Sequence, residues 1–153
     1  MQRSSVVAEA LTTLTKLVVV REILEDKNGA TLSFQQGGHG RLSQGDANFP
    51  AYLRLARRSN ERQHPVGVSL GDGNVITELI RADNDVPTQV REEDSFRVHV
   101  FFQGHDGVFQ LQLDNPESVG IRTLLDTATS RASRVWFIAQ KPDLALLDVL
   151  PAD

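Results

Sequence analysis

The stretch from Ser95 to Asp114, SFRVHVFFQGHDGVFQLQLD, constrains the fold more than any other part of the chain. Apolar and polar residues alternate on both sides of Asp106-Gly107, and a period of two is the pattern of a half-buried strand. A DG pair between two such runs predicts a hairpin closed by a two-residue type I′ turn, because that turn needs positive φ at both central positions. With Asp106 and Gly107 as the turn, His105 falls opposite Val108, Phe102 opposite Leu111 and Val100 opposite Leu113. Phe96, Val98, Val100 and Phe102 then share an apolar face with Leu111 and Leu113. Arg97, His99, Phe101 and Gln103 share the other face with Gln110, Gln112 and Asp114, placing His99 across from Asp114 and Phe101 across from Gln112. One core wall and one polar surface with a single aromatic ring is the pattern of an antiparallel sheet covered on one side. A slip of one residue would exchange the faces, so the register decides which side chains a partner can reach.

The rest of the chain reads as more strands and two helices. Residues 4–14 carry a short helical spacing and residues 17–25 a valine-rich strand, with Ala30–Gln35 returning after Asn28-Gly29. One long helix over 4–25 is the competing reading, since Val7, Leu11, Leu14 and Val18 also stand at helical spacing. The four-glycine run over 36–47 reads as a flexible loop. Pro50 suits the first turn of a helix over about 48–62, whose apolar stripe is Tyr52, Leu55 and Ala56. A second DG pair, Asp72-Gly73, predicts a hairpin in which Val66, Val68 and Leu70 face Leu79, Thr77 and Val75. The acidic run 83–94 reads as a solvated connector. Asn115 and Pro116 open a helix over about 116–131, with Ile121, Leu124, Leu125 and Ala128 at i, i+3, i+4 and i+7. Two short apolar strands flank the turn Lys141-Pro142-Asp143 at the end.

The order of elements suggests a ββαββ unit used twice, over 17–81 and 96–150. At a shift of 69 residues Tyr52 meets Ile121, Leu55 meets Leu124, Ala56 meets Leu125, Val66 meets Val135 and Val75 meets Leu144. Two amphipathic helices followed by hairpins would align in the same way without any duplication. A chain of 153 residues fits one domain by length. The expectation is therefore a single α+β domain, β-rich and antiparallel, forming a sheet or small barrel with two main helices. An OB-like barrel over 66–150 with an N-terminal extension is the alternative, with Val66–Arg81 as one bent strand.

Composition narrows function mainly by exclusion. No apolar run approaches the roughly 18 residues of a membrane helix, so no membrane partner is expected. The first residues lack the apolar core of a secretory signal. The chain has no cysteine, which removes disulfides, thiolate metal sites and a cysteine nucleophile; a cytoplasmic location is expected. Residues 1–64 hold 9 Lys and Arg against 6 Asp and Glu, while residues 65–153 hold 7 against 14. The second part should repel a polyphosphate, which makes nucleic acid a poorer partner than protein.

Motifs for chemistry are sparse. His39, His64, His99 and His105 show no metal-ligand spacing, and no metal or cofactor is expected. No serine stands in a nucleophile motif, and the glycines of GGHGRLSQGD match no phosphate-binding pattern. The acidic run DNDVPTQVREED lacks the glycine of a calcium loop. Two features remain. Arg54, Arg57, Arg58 and Arg62 share one side of the first helix, a compact positive stripe with Glu61 as its one acid. The polar hairpin face offers Phe101 with Arg97, His99, Gln103, Gln110, Gln112 and Asp114. These point to a non-catalytic binding or adaptor domain whose partner is another protein or a second copy of the chain. A single-stranded nucleic-acid module would use Phe101 as a stacking platform. An enzyme would use His99 and Asp114 as an acid–base pair.

Overall fold

Alternating sequence becomes sheet in the computed structural model, which describes residues 15–152 as twelve strands and two α-helices, a β-rich α+β fold. The expected helix over 4–14 lies outside the described residues. The chain divides into two compact units, residues 1–81 and 82–153.

The first unit contains β1 (Lys16–Val18), β2 (Val20–Asp26), β3 (Gly29–Phe34), β4 (His39–Ser43), α1 (Phe49–Arg62), β5 (Val66–Leu70) and β6 (Ile76–Arg81). Antiparallel sheets β1-β5-β6 and β2-β3-β4 meet through one parallel bridge, Arg41 to Val75. β3 alternates as its sequence predicts, with Ala30, Leu32 and Phe34 inward. These join Leu42, Ile76, Leu79 and the α1 residues Leu53 and Ala56 in one core. Burial of each large aliphatic side chain stabilises by about 1.5–3 kcal/mol. A bulge interrupts β2 between Val20 and Glu22, and α1 satisfies the backbone groups there. The Val20 N–H donates to Ser59 Oγ at 3.0 Å, and Asn60 Nδ2 donates to the carbonyls of Val20 and Arg21 at 3.2 and 2.9 Å.

The second unit contains β7 (Asp83–Asp85), β8 (Pro87–Glu92), β9 (Arg97–Phe102), β10 (Phe109–Gln112), α2 (Ser118–Arg131), β11 (Val135–Gln140) and β12 (Ala145–Pro151). They form one open sheet in the order β7-β11-β12-β10-β9-β8, antiparallel except at β10–β12. Ile121, Leu125 and Ala128 of α2 cover Val98, Val100, Phe102, Phe109 and Leu111.

The two units repeat one plan. The helices begin at 49 and 118, end at 62 and 131, and are followed by left-handed residues Gln63 and Ala132. The next strands begin at 66 and 135, with bulges at Ser69/Leu70 and Ile138/Ala139. Each pair is separated by 69 residues, the shift at which the two sequences overlay. Registers extend the match: Lys16 and Val18 lie beside Val68 and Val66, as Asp83 and Asp85 lie beside Phe137 and Val135. Ala30 opposes Leu42 as Val98 opposes Leu111, so Phe34 and Phe102 hold equivalent positions.

Several expectations are corrected. No closed barrel spans 66–150: β5 and β6 belong to the first unit, and the second sheet is open. The acidic connector 83–94 contains β7 and β8, which are the two edge strands of their sheet. Edge strands carry charge without loss of core, which hides their period from a hydrophobicity reading. The glycine-rich loop yields β4, where Gly40 turns inward because a Cβ would come within 2.8 Å of Ile76. The valine-rich strand is two strands broken after Val18. At the second DG pair Val68 faces Leu79, not Thr77, and a short 3₁₀ turn over 72–74 replaces the two-residue turn.

Candidate functional site

The central hairpin keeps its faces within Arg97–Phe102 and Phe109–Gln112 and changes its register, while Phe96 and Leu113, expected on the apolar face, lie just outside the strands and are exposed. Val98 opposes Leu111, Val100 opposes Phe109, His99 opposes Gln110 and Arg97 opposes Gln112. Each pairing is displaced by four residues in sum from a turn at Asp106-Gly107, and an even displacement leaves the inward set inward. Phe102 is buried and Phe101 half-buried on the opposite face, as the alternation requires. His99 and Asp114 are not cross-strand partners, which removes the geometric basis of the acid–base pair. His99 Nδ1 instead lies 3.4 Å from Glu93 Oε2, and Asp114 is exposed beyond the end of β10. Phe101 pairs with Gln89 of β8, and the Arg91 guanidinium lies 5.5 Å over its ring. A ring already capped by a cation is a poor stacking platform. Arg97 is engaged by Asp94 at 3.1 Å. Gln103 is exposed, while Gln110 and Gln112 are half-buried.

A loop from Gln103 to Val108 replaces the tight turn, and a buried carboxylate holds it. Asp85 Oδ2 accepts from the Gly104 N–H at 2.8 Å and lies 2.5 Å from His105 Nδ1, while Oδ1 accepts from the Val86 N–H at 2.7 Å. A carboxylate only accepts, so Nδ1 of His105 carries the proton. Burial pushes the Asp85 carboxyl up, but the bonds from His105, Val86 and Gly104 outweigh it and hold the group below its ordinary value. The His105 ring stands edge-on to Phe102, Phe109 and Phe137 at 6.3, 6.1 and 5.3 Å. Phe137 in turn stacks on Phe102, with centroids 4.2 Å apart and planes 10° from parallel. Asp83 lies on the outer side, its Oδ1 3.9 Å from His105 Nε2. Asp85 and His105 stand twenty residues apart in sequence. The one sequence signal for the group is the alternation of Asp83 with Asp85, which belongs to a strand.

The arginine stripe is exposed along α1, as its spacing predicts. Arg57 binds Glu25 at 2.8 Å across to β2. Among the described residues, the side chains of Arg54, Arg58 and Arg62 make no ion pair or hydrogen bond. They stand at i, i+4 and i+8, one straight row of three cations. The equivalent positions on α2 are Thr123, Thr127 and Arg131, which line a cavity of about 580 Å³ beside Val135. The fold therefore does not require arginine at the first two.

The first unit also has a pocket of about 400 Å³ near the tip of β3 and β4, lined by Lys16, Val18, Phe34, Gly37, Gly38, His39, Val68, Leu70, Gly71 and Asn74. Among the described residues no three His, Asp or Glu side chains gather as metal ligands, and no helix is long and apolar enough to cross a membrane. In comparisons with protein-family models, with curated proteins and with solved structures, nothing matches this chain.

Proposed function

We propose that this is a non-catalytic binding protein whose first unit docks an acidic segment of a protein partner through Arg54, Arg58 and Arg62. The observation that carries this reading is the row itself: three exposed guanidinium groups on one line of a helix, without a partner among the described residues. Guanidinium forks match carboxylates in bidentate geometry, and a helical row presents them about 6 Å apart, one per turn plus a fraction of a residue. Nucleic acid is the weaker fit. Phe101, the ring expected to stack a base, is capped by Arg91, and the second unit holds 6 basic against 12 acidic residues.

A labelled glutamate-rich peptide and a labelled oligo-dT tested side by side separate these readings. The peptide should bind at about 0.05 M salt, weaken strongly by about 0.5 M and no longer bind the variant R54E/R58E/R62E. Peptide binding unaffected by the triple substitution, or oligo-dT bound in preference to the peptide, would overturn the proposal.

A further inference from the structure

We propose that one end of the second unit, where β8 turns into β9 and β10 leads into α2, docks a basic amphipathic segment of a protein partner on Phe96, Leu113 and Val119. These three side chains are 75%, 37% and 80% exposed. The backbone brings them together. The Leu113 N–H donates to the Phe96 carbonyl at 2.9 Å, one step past the last ladder pair of Arg97 with Gln112. By alternation both side chains belong to the face that α2 covers, with Val98 and Leu111. α2 begins only at Ser118, whose Oγ donates to the Leu113 carbonyl at 3.3 Å, and it leaves that pair in water. Val119 stands in the first turn of the helix. Arg122, three residues on along the same side, binds Glu92 at the end of β8 at 2.9 Å. That side of α2 therefore borders the β8–β9 turn, which carries Phe96. Asp94 fixes the turn by accepting from the N–H groups of Phe96 and Arg97 at 2.8 and 3.0 Å.

The first unit shows that the fold does not need apolar residues at these positions. There the Gln44 N–H donates to the Asn28 carbonyl, also at 2.9 Å, as Leu113 does to Phe96. Asp46 Oδ1 accepts from the Asn48 N–H as Asn115 Oδ1 accepts from the Glu117 N–H, both at 2.8 Å. The equivalents of Phe96, Leu113 and Val119 are therefore Asn28, Gln44 and Pro50, all exposed. Three neighbouring surface positions thus carry large apolar side chains in one unit only, and none of the three is buried by the fold. An exposed apolar cluster rimmed by polar residues marks an interaction site, and an aromatic ring is a favoured anchor in one. Charge decides the occupant. Segments 92–97 and 113–122 hold five acids, Glu92, Glu93, Asp94, Asp114 and Glu117, against two bases, Arg97 and Arg122. Both arginines are already engaged, by Asp94 and Glu92. An apolar centre with an acidic rim is complementary to an apolar stripe flanked by lysine or arginine. The same rim disfavours an anionic membrane surface, and a symmetric contact with a second copy would set the acids against themselves. This site lies on the other unit from the arginine row, takes the opposite charge, and stands or falls without it.

The test uses the full chain and two labelled helical peptides, one of leucine and lysine with the leucines on one face, the other with serine in place of every leucine. The leucine peptide should bind with Kd on the order of 10–100 μM at about 0.1 M salt, as fits a small interface. It should shift the amide NMR signals of Phe96, Leu113 and Val119. The serine peptide, equal in charge, should bind at least about tenfold more weakly. The variant F96N/L113Q/V119S, polar at all three positions, should lose about tenfold in affinity for the leucine peptide while Trp136 fluorescence reports a native fold. E93Q/D114N should weaken binding about threefold and flatten its salt dependence. Equal affinity for the two peptides, shifts located elsewhere, or a folded triple variant that binds as well as the parent would overturn the proposal. So would dimerisation of the parent in sedimentation that the triple variant abolishes, since the occupant would then be a second copy. If the triple variant does not fold, the location of the shifts in the parent protein decides alone.

Discussion

Replacing Asp85 with alanine should destabilise the second unit by about 2–3 kcal/mol. The carboxylate accepts from two backbone N–H groups and from His105, and a hydrogen bond to a charged group contributes about 1.5–3 kcal/mol. Three such bonds would exceed the expected loss, but they do not add. His105 is about a third exposed, so water reaches the freed groups and recovers part of the cost. That places the loss below the roughly 3–5 kcal/mol of a deeply buried pair. Trp136 is the one tryptophan of the chain and pairs with Asn84, next to Asp85. Its fluorescence therefore reports unfolding of the strand in question. With a urea m-value of about 1 kcal/mol/M for a unit of this size, the midpoint should fall by about 2 M or more. A cycle with His105→Ala should give a coupling of about 1–2 kcal/mol. The dependence on pH has a definite sign. A carboxyl held below its ordinary value contributes stability above its unfolded pKa of about 3.9 and loses it as pH falls through the lower folded value. The gap between parent and Asp85→Ala should be full at neutral pH and close in acid below about pH 4. A midpoint unchanged at neutral pH, or a gap that widens in acid, would refute the anchoring role.

Two glycines should respond in opposite directions. A Cβ at Gly104 would stand 3.1 Å from Asp85 Oδ2, and the carboxylate is pinned by its bonds, so Gly104→Ala should cost about 1 kcal/mol in the same urea assay. At Gly120 in α2 nothing lies within 4 Å of the added carbon, and Gly120→Ala should stabilise by about 0.5–1 kcal/mol through helix propensity. In the first unit the Arg41 side chain and the Asn28 N–H bring Asp26 down to about 2. A carboxyl titration by NMR should find it there, and the ion pair with Arg41 should break only as pH falls through that value. A midpoint near the ordinary value of about 3.9 would show that the pair does not persist in solution.

Sequence discloses what burial imposes and conceals what only the surface or a long-range pairing decides. Both helices, β3, β9, β11 and β12 are legible because each buries one face, and the burial writes a period into the chain. Within the two strands the faces of the central hairpin follow from its alternation even though its turn does not, since parity fixes the face and only the pairing fixes the partner; Phe96 and Leu113 escape the rule because the strands stop short of them. His99 and Asp114 are separated by that distinction: same face, wrong neighbours. β7 and β8 are hidden because edge strands keep their charges, and β4 because Gly40 leaves no apolar mark where Ile76 fills the space. The pairing of Asp85 with His105 leaves no trace in the sequence beyond the alternation of Asp83 with Asp85. One partner sits on an edge strand and the other in a loop, and that loop has no fixed signature.

The repeat of one plan gives each unit a control for the other, and the control separates scaffold from use. A difference that the neighbours compensate is repacking. Glycine at 40 against phenylalanine at 109 is of this kind: Leu70 comes within 3.0 Å of where a Gly40 Cβ would lie, while the equivalent of Leu70 in the second unit is Ala139. Large and small have changed places, and the core keeps its density. The difference at 68 is of the same kind, since Val68, Val18 and Phe34 are all buried in the core of the first unit. Valine replaces the ring of Phe137, its partner strand offers Lys16 and Val18 where the other unit has Asp83 and Asp85, and the loop brings no histidine in. The arginine row on the outside of the fold is a difference of another kind, because Thr123 and Thr127 serve the helix equally well in the other unit. The row thus departs from the common plan without any gain in packing, and a departure that packing does not explain is where binding should be sought.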